Sequence, residues 1–377
     1  MNKIKKIYGN LVYLVTGPFN MDKGDTLSTY ATLGLVGEPS GAVFNNNNYQ
    51  CCKGNVITLE DGSLAFLPFI SNDCLRHEVY EKYMKVHNLD SLPPTIQATA
   101  LASKPYLTRG FMLTSDKTGG NTIKKKGPFY ISSLKPVNDA TYLGREIQKL
   151  YPNLIKMAPI TKRMFEFCSK SGDRDNTSIH KREILPEAHY YGNYEMDIEN
   201  LEFLSAEDKT NDPQIPFLDN QTYLNIYLDN LRRNFNLNAN PELKYYILKS
   251  SCKGDGDCEK GILLNNDMKK QLVSFGLKLL FLSHRPFRNF GGRMLFNKMD
   301  MTICYDDGTE KFVEINSESD VDKLVEDMEF CEFHNEVDYS VYETKVKYLE
   351  MLAKEEEKKG KKGKNNKKSN NNEDNNE

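Results

Sequence analysis

The sequence lacks the features that mark several classes of protein. It contains no apolar run of about 18 residues, the length of a membrane-spanning helix. It has no excess charge of one sign, because 50 Lys and Arg face 53 Asp and Glu, which gives a formal net charge of -3. This balance excludes a histone-like polycation and a wholly disordered polyanion. The basic start is interrupted at Gly9 and lacks a small-residue cleavage site, so we expect a first strand and no signal peptide.

Motifs for metal binding and catalysis are also scarce. The eight cysteines are scattered and lack the paired spacing of zinc sites, a pattern that favours a reducing, cytoplasmic location. No nucleophile elbow, phosphate-binding P-loop, dinucleotide fingerprint or H-E-x-x-H motif occurs. The sequence therefore predicts no metal and no cofactor. Asp22 and Asp25 follow the first strand and are weak candidates for Mg²⁺ ligands, although acids in a glycine-bearing loop are more often turn formers.

The chain divides into a core of residues 1–353 and a Lys/Asn-rich tail. Residues 354–377 contain eight Lys, six acids and no apolar side chain, so we expect the tail to be disordered. Within the core, a glycine-bearing loop is predicted over residues 20–63. A hairpin with an adjoining insertion is predicted over 104–192.

Alternation and helical periodicity predict the regular elements. Strands are predicted over residues 7–16, 64–70, 95–102, 222–228 and 245–248, and a hairpin over 299–305 and 311–315. Helices are predicted from residue 71, over 265–283, and near 318–331 and 339–358.

Three segments combine features that suit a phosphate backbone. Arg76 lies in the first turn of the helix that starts at residue 71, where it can reach a ligand or simply pair with Asp73 or Glu78. The hairpin over 109–134 carries three adjacent lysines beside two aromatic residues, Phe129 and Tyr130, and its alternative is an ordinary solvated hairpin.

The third segment is the loop over residues 284–293. It places His284 and three arginines around a glycine pair, which lets the backbone approach a ligand. Its alternative is a surface loop that caps the preceding helix. The predicted RNA-binding residues are Asn72, Arg76, Lys124, Lys125, Lys126, Phe129, His284, Arg285, Arg288, Gly291, Gly292 and Arg293.

The order of three segments resembles the RAMP superfamily. The segments are LVYLVTGPF (11–19), LPFISNDCLRHEVY (67–80) and FRNFGGRMLFNKMDM (287–301). The chain is most similar to the backbone subunit that multi-subunit CRISPR effector complexes polymerise along a guide RNA, in a divergent, type IV-like branch. Residues that match the family pattern are Pro68, Ile70, Leu75, Arg76, Gly291 and Gly292. Asn72 and Asp73 depart from it, because small residues are usual there.

This resemblance implies an α+β fold with an RRM-like (ferredoxin-like) antiparallel sheet, large insertions and a projecting, thumb-like hairpin. It implies guide RNA (crRNA), complementary target nucleic acid, copies of the same chain in a helical filament and other CRISPR effector subunits as partners, with no membrane. Some members cleave target RNA with an Asp in the loop after the first strand, and Asp25 is the weak candidate here.

We therefore expect a non-catalytic guide-RNA-binding subunit in antiviral defence. One alternative is the same scaffold acting as a metal-dependent ribonuclease. The other is a self-assembling structural protein of a mobile element that binds no nucleic acid. The slightly acidic composition favours this last alternative, whereas local clustering of cations favours the first.

Overall fold

The structure is a computed structural model. The residues it describes are 2–17, 21–23, 49–52, 54–58, 62, 64–81, 83–84, 89–114, 122–137, 164–169, 179–206, 215, 217–249, 258–281, 293–344, 347–348 and 351. Much of the predicted loop over 20–63, residues 284–292 and the tail lie outside this part of the chain. No helix within it is long and apolar enough to cross a membrane.

Short strands and helices alternate in the first part of the chain. In order they are β1 (Ile4–Gly17), β2 (Met21–Lys23), β3 (Tyr49–Cys52), β4 (Gly54–Thr58), β5 (Leu64–Pro68), α1 (Asn72–Glu81), α2 (Pro94–Leu101), α3 (Lys104–Arg109), β6 (Phe111–Thr114), β7 (Thr122–Lys125), β8 (Phe129–Ile131), β9 (Lys135–Val137) and β10 (Met164–Ser169).

Longer elements follow. They are β11 (Ile179–Asp197), α4 (Ile198–Glu202), β12 (Phe203–Ser205), α5 (Gln221–Phe235), β13 (Lys244–Leu248), β14 (Glu259–Leu263), α6 (Asn266–Leu279), β15 (Arg293–Tyr305), β16 (Glu310–Ile315), α7 (Glu318–Glu326) and β17 (His334–Glu336). The protein is a mixed α+β protein built largely on antiparallel sheets.

The longest strands form the centre of the main sheet. Strand β1 pairs antiparallel with β15 on one side and with β11 on the other. Strand β16 extends the sheet beyond β15, while β8 and β9 pair with the far side of β11. The order across these strands is therefore β16–β15–β1–β11–β8/β9. The first part of β11 continues further and pairs with β10 and, in parallel, with β3.

Gly9 lets two polar groups meet across the central strand. The hydroxyl of Tyr194 on β11 donates a hydrogen bond to the carbonyl oxygen of Asp300 on β15 across 3.0 Å. A Cβ atom at Gly9 would overlap that carbonyl oxygen and come within 2.8 Å of the Tyr194 hydroxyl. Glycine is needed here because any side chain would push the neighbouring strands apart.

Helices cover one face of the main sheet. Helix α6 packs on β8 and β11, where Gly276 leaves space for the side chains of Met196 and Phe129. Helices α1 and α3 also contact β8. The ring of Tyr83, two residues after the end of α1, meets that of Phe275 on α6 edge to face, with centroids 5.1 Å apart. These helices form one layer over the sheet and fix the position of α1, which carries Arg76.

A second antiparallel sheet lies beyond α4. Its strands follow the order β12–β14–β13–β17, so the chain between β11 and α6 and the segment after α7 both contribute to it. The side chain of Asn265 accepts a hydrogen bond from the Met268 amide and starts α6.

Several predictions from the sequence are confirmed. They are the first strand, the strand before α1, the helix that starts after residue 71, the helix over 265–283, the strand over 245–248 and the hairpin formed by β15 and β16. The predicted hairpin at 109–134 is present as the pair β6–β7, and its turn lies outside the described residues.

Two predicted strands are wrong. Residues 95–102 form α2, because Pro94 lies in the first helical turn, where its missing amide hydrogen costs nothing. Residues 222–228 belong to α5, because the Asn220 side chain accepts hydrogen bonds from the Thr222 and Tyr223 amides and caps a helix. In both cases a helix-start signal outweighs the β-branched and aromatic residues that suggested a strand.

Candidate nucleic-acid interface

Helix α1 begins beside the edge of the main sheet. The Ser71 hydroxyl accepts a hydrogen bond from the Cys74 amide across 3.3 Å, as an N-cap does. Asn72 is the first residue of the helix, and its backbone amide donates to the Ser133 hydroxyl across 3.2 Å. The side-chain oxygen of Asn72 accepts from the Asp73 amide. Ser71 and Asn72, the predicted RNA-binding residue, therefore both take part in local hydrogen bonds at the start of α1.

Arg76 lies one turn into α1 and is partly exposed. Its Nη2 atom lies 2.9 Å from Oδ1 of Asp73, so the simple ion pair that the sequence allowed is present. The Asp73 side chain is 77% exposed, and water and salt screen the pair. Because such a pair contributes little to stability, it leaves Arg76 available to a stronger anion.

A second arginine, Arg109, lies at the end of α3, which is joined to α1. The buried hydroxyl of Tyr80, one turn after Arg76, donates to Oγ1 of Thr108 across 3.0 Å and ties α1 to α3. Arg109 follows Thr108, and its Nη1 atom lies 3.3 Å from Sδ of Met84. Burial lowers the pKa of Arg109, and the positive charge of Arg76 lowers it further. The positive charges of Arg76 and Arg109 therefore act unfavourably on each other.

The three adjacent lysines do not share one environment. Lys124 and Lys126 are exposed, whereas Lys125 is only 4% exposed. The Nζ atom of Lys125 donates to the carbonyl oxygen of Asn200 across 3.3 Å. Burial lowers the pKa of Lys125 to about 8, although the negative charge of Asp197 acts in the opposite direction. Alternation along β7 explains the pattern, because neighbouring side chains point to opposite faces.

The lysine segment lies against the end of α3. In the β6–β7 hairpin, Phe111 pairs with Lys125. A Cβ atom at Gly127 would overlap the carbonyl oxygen of Arg109, so the two backbones are in direct contact. Lys126 directly precedes Gly127 and is exposed. The backbone that carries the exposed lysines therefore lies against the end of α3, which carries Arg109.

The two aromatic residues of β8 lie on opposite faces of the sheet. Phe129 is buried, and its ring meets that of Tyr194 edge to face with centroids 6.2 Å apart. Tyr130 is 55% exposed. The sequence proposed Phe129 for base stacking, but the ring available to solvent in this conformation is that of Tyr130.

Arg293 lies at the other end of the main sheet. It is exposed at the start of β15, where its partner on β1 is Thr16. Phe129, just after the lysines, pairs with Met196, which pairs with Ile7 of β1. Nine residues of strand separate Ile7 from Thr16, which corresponds to roughly 30 Å. The described structure therefore does not bring Arg293 next to the lysine segment.

The other predicted site residues lie outside the described residues. They are Asp25, His284, Arg285, Arg288, Gly291 and Gly292. Asp22 lies in β2, where its backbone pairs with Cys51. Among the described residues, no three His, Cys, Asp or Glu side chains are grouped as they would be in a metal site.

Arg109 is the residue of this region that the sequence did not predict. Arg76 lies far before Arg109 in the chain, whereas Lys126 follows it more closely. No local spacing in the sequence therefore identifies these three residues as a group. A prediction of α3 from Pro105 at its first turn would have placed Arg109 at a helix end. The Tyr80–Thr108 contact that orients it is visible only in the folded chain.

The chain matches no model of a protein family and no curated protein.

Proposed function

We propose that this chain is a non-catalytic subunit that binds guide RNA and repeats along it in a CRISPR surveillance complex. The observation that carries the proposal is a chain of contacts: Tyr80, one turn after Arg76, is bonded to Thr108 of α3, and the backbone of Arg109 touches Gly127, which follows the exposed Lys124 and Lys126. These cations come from segments that are distant in the sequence. Local clusters of this kind attract a phosphate backbone even when the whole chain is slightly acidic.

The order of the strands supports an RRM-like, ferredoxin-like core. Taking β1, β8/β9, β11 and β15 as first to fourth, the order across the sheet is fourth, first, third, second, with every neighbouring pair antiparallel. Helices α1 to α3 lie in the first crossover and α6 in the second. This order supports the proposal of a β-α-β-β-α-β core. Strand β16 and the second sheet are then additions to the core.

The β6–β7 hairpin supports the family resemblance in a second way. It lies between α3 and the edge strand β8, within the residues 104–135 for which the resemblance implies a thumb-like insertion. Its return strand carries two exposed lysines, and the exposed ring of Tyr130 follows within a few residues. Cations for phosphates and an aromatic ring for a base are the usual components of single-strand RNA recognition.

Repetition along the RNA follows from the small size of this surface. A few cations and one exposed ring grip only a few nucleotides, and several copies on one strand gain affinity because each bound copy raises the local concentration of the next. The target strand and the other effector subunits are further partners that the resemblance implies.

Purification tests the proposal. The chain, expressed with a guide array and its flanking repeats, should retain RNA of defined length, visible as a high ratio of absorbance at 260 nm to that at 280 nm and as a discrete band after protease digestion. The variant Arg76→Gln/Lys124→Gln/Lys126→Gln should lose most of this RNA. A structural protein with no nucleic-acid role would purify free of RNA in both forms.

The nuclease alternative is tested with the same material. Asp25, its candidate residue, lies outside the described residues. Incubation of the RNA-loaded protein with complementary RNA and Mg²⁺ should leave the target intact. Cleavage by the unmodified protein that disappears in Asp25→Ala would replace the non-catalytic proposal with the alternative.

A further inference from the structure

The guanidinium group of Arg109 has donors in excess of its acceptors. An arginine carries five N–H donors, and a thioether sulfur is a weak acceptor. Within the described residues, the one acceptor found within hydrogen-bonding distance of the Arg109 guanidinium is Sδ of Met84, at 3.3 Å. The side chain is half-buried, so water reaches only part of it. A partly desolvated cation with unused donors is costly unless an anion joins it.

The charges around Arg109 also favour an added anion. The positive charge of Arg76 acts on Arg109 and lowers its pKa, after burial itself. Asp73 acts in the opposite direction, but its carboxylate is already paired with Arg76 at 2.9 Å. Among the described residues, Asp73 is the carboxylate that acts on Arg109, and it is shared between two guanidinium groups.

The relative position of the two arginines is fixed by the helices that carry them. Tyr80 and Thr108 join α1 to α3 through a buried hydrogen bond of 3.0 Å. Arg76 precedes Tyr80 by one turn of α1, and Arg109 directly follows Thr108. A pre-set pair of planar cations loses little conformational freedom when a ligand bridges it.

We propose that Arg76 and Arg109 together bind one phosphate group of the RNA backbone. This inference rests on the proposed RNA-binding function and adds Arg109 to its site. A phosphodiester has two non-bridging oxygens, so each guanidinium group receives one of them and the repulsion between the arginines is offset. The exposed Lys126, whose chain neighbour Gly127 touches the Arg109 backbone, carries the cationic surface onward to the next phosphate.

Binding of a fluorescein-labelled, single-stranded RNA to the full chain, stripped of nucleic acid, tests the inference. Arg109→Gln should weaken binding on the order of 10-fold, as expected for the loss of a charged hydrogen bond. The slope of the logarithm of affinity against the logarithm of salt concentration should fall by about 0.7, the value for one phosphate contact on a single strand. The matched control is Arg233→Gln on α5, which removes an exposed arginine paired with Asp229 at 2.7 Å and should leave both quantities unchanged.

Three further variants separate a phosphate clamp from a structural role. Arg109→Lys keeps the charge but not the planar fork, so it should restore part of the affinity. The double variant Arg76→Gln/Arg109→Gln should lose less affinity than the product of the two single fold-losses in affinity, because both groups bind the same phosphate. Asp73→Asn should raise affinity, since it removes the carboxylate that competes for Arg76. Circular dichroism establishes that each variant is folded, and Arg76→Gln provides the test if Arg109→Gln is not.

A titration with inorganic pyrophosphate, read as a rise in melting temperature, distinguishes this inference from the wider function. If RNA binds and Arg109→Gln behaves as the unmodified protein does, the clamp is wrong and the RNA-binding function stands. If no RNA binds but pyrophosphate raises the melting temperature of the unmodified protein and not that of Arg109→Gln, the clamp stands and the RNA-binding function is wrong. If neither ligand binds, both are overturned.

Discussion

Lys269 donates a hydrogen bond from Nζ to Oε2 of Glu202 across 2.8 Å, and both side chains are buried. The other carboxylate oxygen of Glu202 accepts from the backbone amides of Phe333 and His334 and lies 3.2 Å from Nδ1 of His334. Lys269 also donates to the carbonyl oxygen of Cys331. This cluster joins α4 and α6 to the segment that leads into β17, and so connects the main sheet to the second sheet.

Lys269→Met should strongly destabilise the protein. The substitution leaves the buried carboxylate of Glu202 without its cation, and breaking one partner of a buried pair costs about 3–5 kcal/mol. Urea denaturation at pH 7 measures the change. Lys298→Met is a suitable control because Lys298 is partly exposed and 3.7 Å from Glu314, so its loss should change stability by less than about 1 kcal/mol.

The double variant Glu202→Gln/Lys269→Met should recover part of the lost stability. The amide of Gln is neutral, so no buried charge is left, and its oxygen can still accept from the Phe333 and His334 amides. A double variant that is less stable than Lys269→Met would contradict this account of the cluster.

Glu202 should make stability depend on pH in the acid range. Burial alone would raise the pKa of Glu202, but hydrogen bonds with His334 and Lys269 outweigh it and hold the pKa below its usual value of 4.5. The folded state therefore binds this proton less readily than the unfolded chain does. Its contribution to stability is complete above about pH 4.5 and is lost as the pH falls through the folded-state pKa.

Comparison with Glu202→Gln isolates this effect. The difference in free energy of unfolding between the unmodified protein and the variant should shrink from pH 5 to lower pH, measured by urea denaturation. A difference that stays constant would show that Glu202 does not titrate differently in the folded and unfolded chains.

Lys125 should make stability depend on pH in the alkaline range, because burial lowers the pKa of its ammonium group in the folded protein. Its pKa is about 8 in the folded protein and 10.5 in its ordinary state. Between these values the unfolded chain holds a proton that the folded protein has released, so stability rises with pH, by at most about 1.4 kcal/mol per pH unit. Lys125→Met should lack this rise between pH 8 and 9.5. Lys126→Met should retain it, because Lys126 is exposed.

Tyr80→Phe should weaken RNA binding without removing any cation. The ring stays in place, but α1 loses its hydrogen bond to Thr108, at a cost of about 1 kcal/mol. Because that bond fixes Arg76 relative to Arg109, affinity for single-stranded RNA should fall several-fold while the salt dependence stays the same. An unchanged affinity, measured by fluorescence anisotropy, would show that the bond has no part in positioning the arginines.

Local signals in the sequence were sufficient to predict the helices and hairpins whose start or turn depends on a few neighbouring residues. The helix predicted from residue 71 is α1, where Ser71 and Asp73 are helix-start residues, and the hairpin predicted over 299–305 and 311–315 is the β15–β16 pair, which encloses an Asp-Asp-Gly sequence at 306–308. The strands predicted over 95–102 and 222–228 failed because Pro94 and Asn220 begin helices there. A helix-start residue is therefore a stronger signal of secondary structure than a short alternation of apolar and polar residues.

The candidate site was harder to predict because burial is a property of the folded chain. All three adjacent lysines were predicted to bind RNA, yet strand alternation buries Lys125 and exposes its neighbours. The same alternation buries the ring of Phe129 and exposes that of Tyr130 on β8. Arg109 could not be predicted from the sequence, because its position relative to Arg76 depends on a contact between residues 80 and 108.

The most direct test of the central claim is the mass of complexes formed on RNAs of increasing length. Protein stripped of nucleic acid is mixed with single-stranded RNAs of graded length, and the masses are measured by mass photometry at low and moderate salt. The number of bound copies should rise in equal steps with RNA length, and higher salt should reduce it. Absence of binding at low salt, or a single bound copy at every length, would contradict the proposal of a guide-RNA-binding subunit that repeats along its strand.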